Sequence, residues 1–204
     1  MFLMFPTPIL KFSLAKHQEH KETYVPKLLE LFNSRTGNPS HFEHRQENSY
    51  LLMYDDSHLE ILDKELDRTC VDYLNYLSGD NYAGYRRKSW FGVHAPNMHI
   101  QSHTHSGAVF SGVYYLQFNP EYDYPTTFTS PIEKEIENWD GGRFETHNSQ
   151  LLQATFPNHL DIKEGDVVLF PAWLSHYVPC SKPGGQERIT FVFNTYLPDE
   201  TSIR

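Results

Sequence analysis

Cysteine is nearly absent: Cys70 and Cys180 are the only two in 204 residues, and neither lies in a C-x-x-C pair. Two cysteines cannot build a disulfide framework, which argues against a small stapled secreted domain and fits a reducing cytoplasm. Positive charge is also scarce. Seventeen Lys and Arg face 26 Asp and Glu, a net charge of -9, and the one basic cluster is Arg86, Arg87 and Lys88. That balance disfavours nucleic acid or an anionic membrane as an electrostatically held partner. No apolar run approaches the roughly 20 residues that a membrane span requires. The stretch from Met1 to Leu10 is apolar but carries Pro6 and Pro8, with no basic start and no small-residue cleavage site, so it does not read as a signal peptide.

Aromatic residues, in contrast, are plentiful. Fourteen Phe, 13 Tyr and 3 Trp, with 13 Pro and 11 Gly spread along the chain, favour a strand-and-turn fold with a packed core over a helical bundle or a disordered chain. The length suits one domain, residues 1–204. Tyr24, Leu28, Leu29 and Phe32 predict a short helix over Glu22 to Phe32, where Pro26 falls in the first turn. A longer helix is expected from about Ser57 to Leu77. There Leu59, Leu62, Leu66, Cys70, Tyr73 and Leu77 recur at three- and four-residue steps behind an Asp55-Asp56-Ser57 cap, and Ser78-Gly79 ends the run. After Gly84 the pattern becomes alternation broken by turn residues, so residues 1–84 read as mostly helical support and 85–204 as sheet. Helices followed by strands predict helices laid against one face of a largely antiparallel sheet or barrel. The acidic stretch from Pro120 to Gln150 lacks a period and reads as a loop excursion, either a functional lid or a solvated surface loop.

Twelve histidines are the oddest count. In Asn97-Met98-His99-Ile100-Gln101-Ser102-His103-Thr104-His105, strand alternation places Asn97, His99, Gln101, His103 and His105 on one face. Two imidazoles two residues apart on a strand leave the same side of the pleat and can reach one metal ion. Spacing alone is weak, since this composition supplies on the order of 0.7 H-x-H pairs by chance. His17/His20 and His41/His44 have no converging third ligand and read as surface histidines. The strand Val109 to Phe118 alternates between a core face of Phe110, Gly112, Tyr114, Leu116 and Phe118 and a mixed face that includes Tyr115, whose phenol could hydrogen-bond an anion or equally be an ordinary strand aromatic. His176 follows the apolar strand Val167-Val168-Leu169-Phe170 and a Pro/Trp turn, a position from which a loop residue can point into a barrel mouth. In the last strand Arg188, Thr190, Val192 and Asn194 share one face, while Ile189, Phe191 and Phe193 face the core. An Arg opening such a strand suits a bidentate grip on a carboxylate, or equally an Arg snorkelling at a strand end.

Taken in order, H-x-H, Ser-Gly-Val-Tyr-Tyr-Leu, Glu-Gly-Asp-Val-Val-Leu-Phe-Pro, Trp-Leu-Ser-His and Arg-Ile-Thr-Phe-Val-Phe-Asn resemble the 2-oxoglutarate and Fe(II)-dependent oxygenases. The likeness is closer to a branch found in bacteria and phages, and it includes the Phe5-Pro6-Thr7-Pro8 start. The resemblance implies a mainly β fold with supporting N-terminal helices, a double-stranded β-helix or jelly-roll, cupin-like barrel, with iron at its open end. It also implies His103 and His176 as iron ligands and Arg188 as the base that binds the distal carboxylate of 2-oxoglutarate, assisted by Thr190 and Tyr115. Asn97 and Gln101 would orient the co-substrate, with His99 and Asn194 nearby. Most of that superfamily carries Asp or Glu where this chain has His105. Three readings stay open for it: a ligand in a three-His site, which its strand phase favours; a non-ligand beside an open position; or a site whose native metal is not iron.

The function expected is a dioxygenase, using Fe(II), 2-oxoglutarate and molecular oxygen to oxidise a small molecule or a protein side chain in the cytoplasm, without nucleic acid or membrane as partner. Two alternatives differ in class. One is a three-His cupin-like dioxygenase whose organic substrate chelates the metal itself; the other is a non-catalytic jelly-roll module in which the histidines only line the barrel.

Overall fold

Two kinds of periodicity build the structure, a computed structural model that describes residues 7–34, 42–43, 49–52, 60–129 and 160–197. Helical spacing produces α1 (His17–Ser34) and α2 (Glu60–Ser78). Alternation produces the strands β1 (Leu10–Ser13), β2 (Phe42–Glu43), β3 (Ser49–Leu52), β4 (Arg86–His94), β5 (Ile100–His103), β6 (Phe110–Gln117), β7 (Thr127–Phe128), β8 (Asp166–Pro171), β9 (His176–Val178) and β10 (Arg188–Tyr196). All pair antiparallel, in a seven-stranded sheet ordered β1-β8-β6-β10-β4-β3-β2 and a three-stranded sheet ordered β5-β9-β7.

The large sheet is buried on both faces. On its outer face Phe91, Val93, Phe110, Tyr114, Leu116, Ile189, Phe191 and Phe193 form one core with Tyr24 and Leu28 of α1 and Leu62, Leu66, Cys70 and Leu74 of α2. Its inner face contributes Val113, Tyr115, Val168 and Phe170 to a second core shared with Phe128 of the small sheet. The expected layering of helix, sheet and sheet is therefore present. Each large apolar side chain taken fully out of water contributes roughly 1.5–3 kcal/mol toward the conformational entropy that must be overcome.

Several expectations need correction. Helix α1 begins at His17, five residues earlier than its apolar spacing suggests, so Pro26 lies mid-helix and not in the first turn. Pro26 is exposed, and packing of Tyr24, Val25, Leu28 and Phe32 outweighs the one helical hydrogen bond it removes. His17 and His20 are not surface residues. His20 is buried with Nε2 2.8 Å from Glu65, and His17 bridges the Tyr114 hydroxyl at 2.7 Å and Glu164 at 3.3 Å, pinning α1 to α2 and to the barrel. Both faces of β6 are buried, and Phe118 joins the inner core instead of the outer one, because it lies beyond the strand's last residue. Strands β1, β2 and β3 extend the sheet from the first 84 residues, and β7 falls inside the stretch read as a loop excursion. Leu59, the Asp55-Asp56-Ser57 cap, His41, His44 and residues 130–150 of the excursion lie outside the described residues. None of the described helices is long and apolar enough to cross a membrane.

Two measurements check this packing. A Cβ at Gly112 would stand 2.1 Å from Phe193 Cζ, so Gly112→Ala is expected to destabilise the fold by about 1–3 kcal/mol in urea denaturation, with partial recovery on adding Phe193→Leu. Glu65 and Glu164 are desolvated, yet hydrogen bonds from His20 and the Lys16 backbone to Glu65, and from Lys21, the Phe118 backbone and His17 to Glu164, hold both below the ordinary value of 4.5. A depressed folded-state pKa means that the stabilisation is complete above 4.5 and is lost as pH falls through the lower folded-state values. The double variant Glu65→Gln, Glu164→Gln is expected to lose less stability between neutral and acid pH than the native chain.

Candidate metal centre

The three-stranded sheet exists where the H-x-H segment meets the strand after the Pro/Trp turn. His103 closes β5 and stands directly opposite His176, which opens β9, in an antiparallel register. Facing residues of such a pair bring their side chains together, and the two imidazole centroids are 4.4 Å apart. His105 lies past the end of β5, so strand phase alone does not position it. Its backbone N–H donates to the Ala172 carbonyl at 2.9 Å, and its ring lies 5.0 Å from those of His103 and His176. One nitrogen from each of the three histidines lies within 4.8 Å of the others, so the set could hold a metal ion.

Hydrogen bonding prepares these rings for a cation. His103 Nδ1 lies 2.8 Å from the Gln101 carbonyl, and His176 Nδ1 lies 2.8 Å from the Leu174 carbonyl. A carbonyl only accepts, so each Nδ1 carries a proton, and in the neutral form of either ring the bare lone pair is at Nε2. Burial, with His103 nearby, lowers the pKa of His176 to about 4, which keeps it neutral at physiological pH. His105 Nε2 stands 3.2 Å from His176 Nε2. Neutral nitrogen donors in this arrangement fit a divalent transition metal. Phe170 and Phe128 pack against His176 and form an apolar wall behind it.

Across the interior, the inner face of β10 carries Arg188 and Thr190, both buried, with half-buried Asn194 further along. Arg188 Nη1 donates to the Tyr124 carbonyl at 3.3 Å, and none of the salt bridges among the described residues involves Arg188. Burial pushes its pKa down, while Tyr115 and Asp123 pull it up. Tyr115 is buried beside Thr190 in the β6–β10 ladder, and its oxygen accepts from the Thr126 N–H at 3.0 Å, which leaves the phenolic proton to be donated elsewhere. Asn194 instead accepts from the Ser111 hydroxyl at 2.8 Å.

The remaining candidates sit differently. Asn97 occupies a turn with φ of 69°, its backbone bonded to Ser181 and Cys180, and the side chains of Asn97, His99 and Gln101 are exposed. The alternation runs only from Ile100 to His103, so it does not carry Asn97 and His99 onto the ligand face. Three interior residues went unremarked in the sequence: Trp90, Gly92 and His94 on β4. Phe91 and Val93 face the helices, so alternation alone turns these three inward, and the Trp90 ring lies 6.3 Å from that of His105.

The family model described as "Putative 2OG-Fe(II) oxygenase" matches residues 88–194, the stretch that holds every residue of this site. Among curated proteins no sequence matches. Solved structures with the same fold include a prolyl-4-hydroxylase from Pseudomonas putida, 12% identical, with a TM-score of 0.61 over 94% of both chains. HygX from Streptomyces hygroscopicus, solved with nickel, 2-oxoglutarate and hygromycin B bound, is 14% identical with a TM-score of 0.58 over 97% of this chain and 86% of its own. AviO1 from Streptomyces viridochromogenes is 11% identical with a TM-score of 0.62 over 95% of this chain and 91% of its own. With its double-stranded β-helix and its converging imidazoles, this chain belongs to the 2OG-Fe(II) oxygenases, oxidoreductases whose cofactors are ferrous iron and 2-oxoglutarate.

Proposed function

We propose that the chain is a dioxygenase that hydroxylates a small molecule or a protein side chain, with His103, His105 and His176 as the iron ligands. Arg188, Thr190 and Tyr115 then bind the distal carboxylate of 2-oxoglutarate. One observation carries this: a buried guanidinium, without a salt bridge among the described residues, lines the same barrel interior as three converging imidazoles. A buried cation held without a salt bridge is expensive, and an incoming carboxylate would neutralise it.

Bound iron, 2-oxoglutarate and oxygen supply the oxidising power for an unactivated C–H bond, with 2-oxoglutarate leaving as succinate and carbon dioxide. The chain's own residues hold and orient. Carbonyls of Gln101 and Leu174 fix the tautomers of His103 and His176. An all-imidazole set leaves the centre one unit more positive than a set with a carboxylate, which favours anionic chelators. The Thr190 and Tyr115 hydroxyls donate beside Arg188, and the apolar wall of Phe128, Val168, Phe170 and Leu174 limits water.

Both substrate classes have a precedent among the solved neighbours, a prolyl hydroxylase and an enzyme holding hygromycin B. The net charge of -9 speaks against nucleic acid. Cys70 is buried and Cys180 exposed, with no disulfide between them, which supports a reducing cytoplasm. Residues 1–204 form one oxygenase domain in this proposal, with 85–204 as barrel and 1–84 as support.

Replacing Arg188 with Ala is expected to weaken 2-oxoglutarate binding by about 10- to 100-fold in anaerobic calorimetry, from the loss of charge-assisted hydrogen bonds, with metal affinity unchanged. Equal loss of both would remove Arg188 from this role. His176→Ala and His105→Ala are each expected to abolish stoichiometric iron binding. Retained binding in His105→Ala would restrict the ligands to His103 and His176. Iron-dependent succinate release under air separates this function from a three-His dioxygenase that needs no 2-oxoglutarate.

A further inference from the structure

His94 ends β4 directly opposite Arg188 in the β4–β10 ladder and is 5% exposed. Its Nδ1 is sealed from solvent and has no hydrogen-bond partner among the described residues. Burial, and then the neighbouring Arg188, push its pKa well below the ordinary range, so the ring is neutral and carries one N–H donor. A neutral imidazole held inside a barrel without a partner is an unusual tenant, since buried polar groups are normally satisfied.

The ring's position suggests what it serves. A Cβ at residue 92 would lie 2.7 Å from His94 Nε2 and 3.3 Å from Thr190 Oγ1, so glycine at this position gives the His94 ring room to lie with its Nε2 beside the Thr190 hydroxyl. Gly92 is not among the residues with positive φ, so its missing side chain answers a need for space and not for backbone freedom. Beside one another stand a guanidinium, a threonine hydroxyl and an imidazole. All can donate. Asp123 acts on Arg188 through its charge and makes no salt bridge with it; its Oδ2 accepts from the Asn119 N–H at 2.9 Å. An anion with several acceptor lone pairs suits such a surround, and a carboxylate can take a bidentate arginine together with further donors.

We infer that His94 is an additional co-substrate-binding residue: its Nε2–H donates to the distal carboxylate of 2-oxoglutarate beside Arg188 and Thr190, from the position that Gly92 allows the ring to take. The inference rests on Arg188 binding that carboxylate, as proposed above. It assigns to β4, and not only to β6 and β10, a part in recognising the length and charge of the co-substrate.

The test is anaerobic calorimetry on the full chain loaded with Mn(II), titrated with 2-oxoglutarate and separately with pyruvate, which keeps the 2-oxo acid end but lacks a distal carboxylate. His94→Leu is expected to raise the Kd for 2-oxoglutarate about tenfold, the usual scale of a hydrogen bond to a charged group. Its Kd values for pyruvate and for Mn(II) should not change. His94→Gln, which retains an N–H donor, should recover much of the loss. Gly92→Ala should weaken 2-oxoglutarate in the same selective way by displacing the His94 ring. Native-like 2-oxoglutarate affinity in His94→Leu, or equal weakening of 2-oxoglutarate and pyruvate, overturns the role. Should His94→Leu fail to fold, Gly92→Ala decides, and unchanged affinity there overturns it as well. Arg188→Ala measured alongside separates the two levels. Unchanged affinity in Arg188→Ala defeats the carboxylate site itself, whereas a loss in Arg188→Ala without one in His94→Leu defeats only the assignment of His94.

Discussion

Strand β10 is the constraint on which the rest of the molecule depends. It runs through the middle of the large sheet, hydrogen-bonded to β4 on one side and β6 on the other, so its register is set twice. Its odd and even positions serve different purposes. Ile189, Phe191 and Phe193 enter the core beneath the helices, while Arg188, Thr190 and Val192 turn into the barrel. A slip of one residue would drive a guanidinium into the helical core and three large apolar side chains into the site. The close fit of Phe193 over Gly112 on β6 opposes that slip, because a ring that occupies the space of a missing side chain has one place to sit.

The small sheet does for the three converging histidines what β10 does for Arg188 and Thr190. Its three strands are short, and the β5–β9 ladder is irregular between Ile100 and His103. Such a sheet has little stability of its own and relies on the apolar core it shares with the large sheet. Rigidity at the centre comes from local bonds: each of two rings is tied to a carbonyl two residues earlier, and His105 is tied through its backbone to Ala172. The polar interior thus divides into a side built of lone pairs and a side built of donors. That division suits a ligand that is a metal chelator at one end and a carboxylate at the other.

Histidine itself is used in three distinct ways. His103, His105 and His176 converge with their nitrogens near one another, and His94 stands alone beside Arg188. His17 and His20 belong to neither group. They join α1 to Tyr114, Glu164 and Glu65, so the helical layer is fastened to the barrel by polar contacts as well as by the core. Glu164 is the busiest of these, since it also receives Lys21 and the Phe118 N–H. Removal of that carboxylate would strand several donors at once.

Much of this was legible in the sequence, because alternation and helical spacing are properties of the chain alone. The sequence by itself determined the two helices' apolar stripes, the faces of β6 and β10, and the order of motifs that marks the barrel and nominates His103, His176, Arg188, Thr190 and Tyr115. Only the tertiary structure decided how far each pattern runs. Strand β5 ends at His103, so pairing across sheets, and not phase, brings His105 to the other two rings and leaves Asn97, His99 and Gln101 exposed. The short strands β1, β2 and β3 have too few residues to show a period, and they exist because neighbouring strands offer hydrogen-bonding edges. His94 shows the same limit from the other side. Its inward phase is written in the sequence, but its placement over Gly92 beside the Thr190 hydroxyl arises only when β4 lies beside β10. Contacts between residues distant in sequence have no local signature, which is the physical reason that the site had to be seen folded.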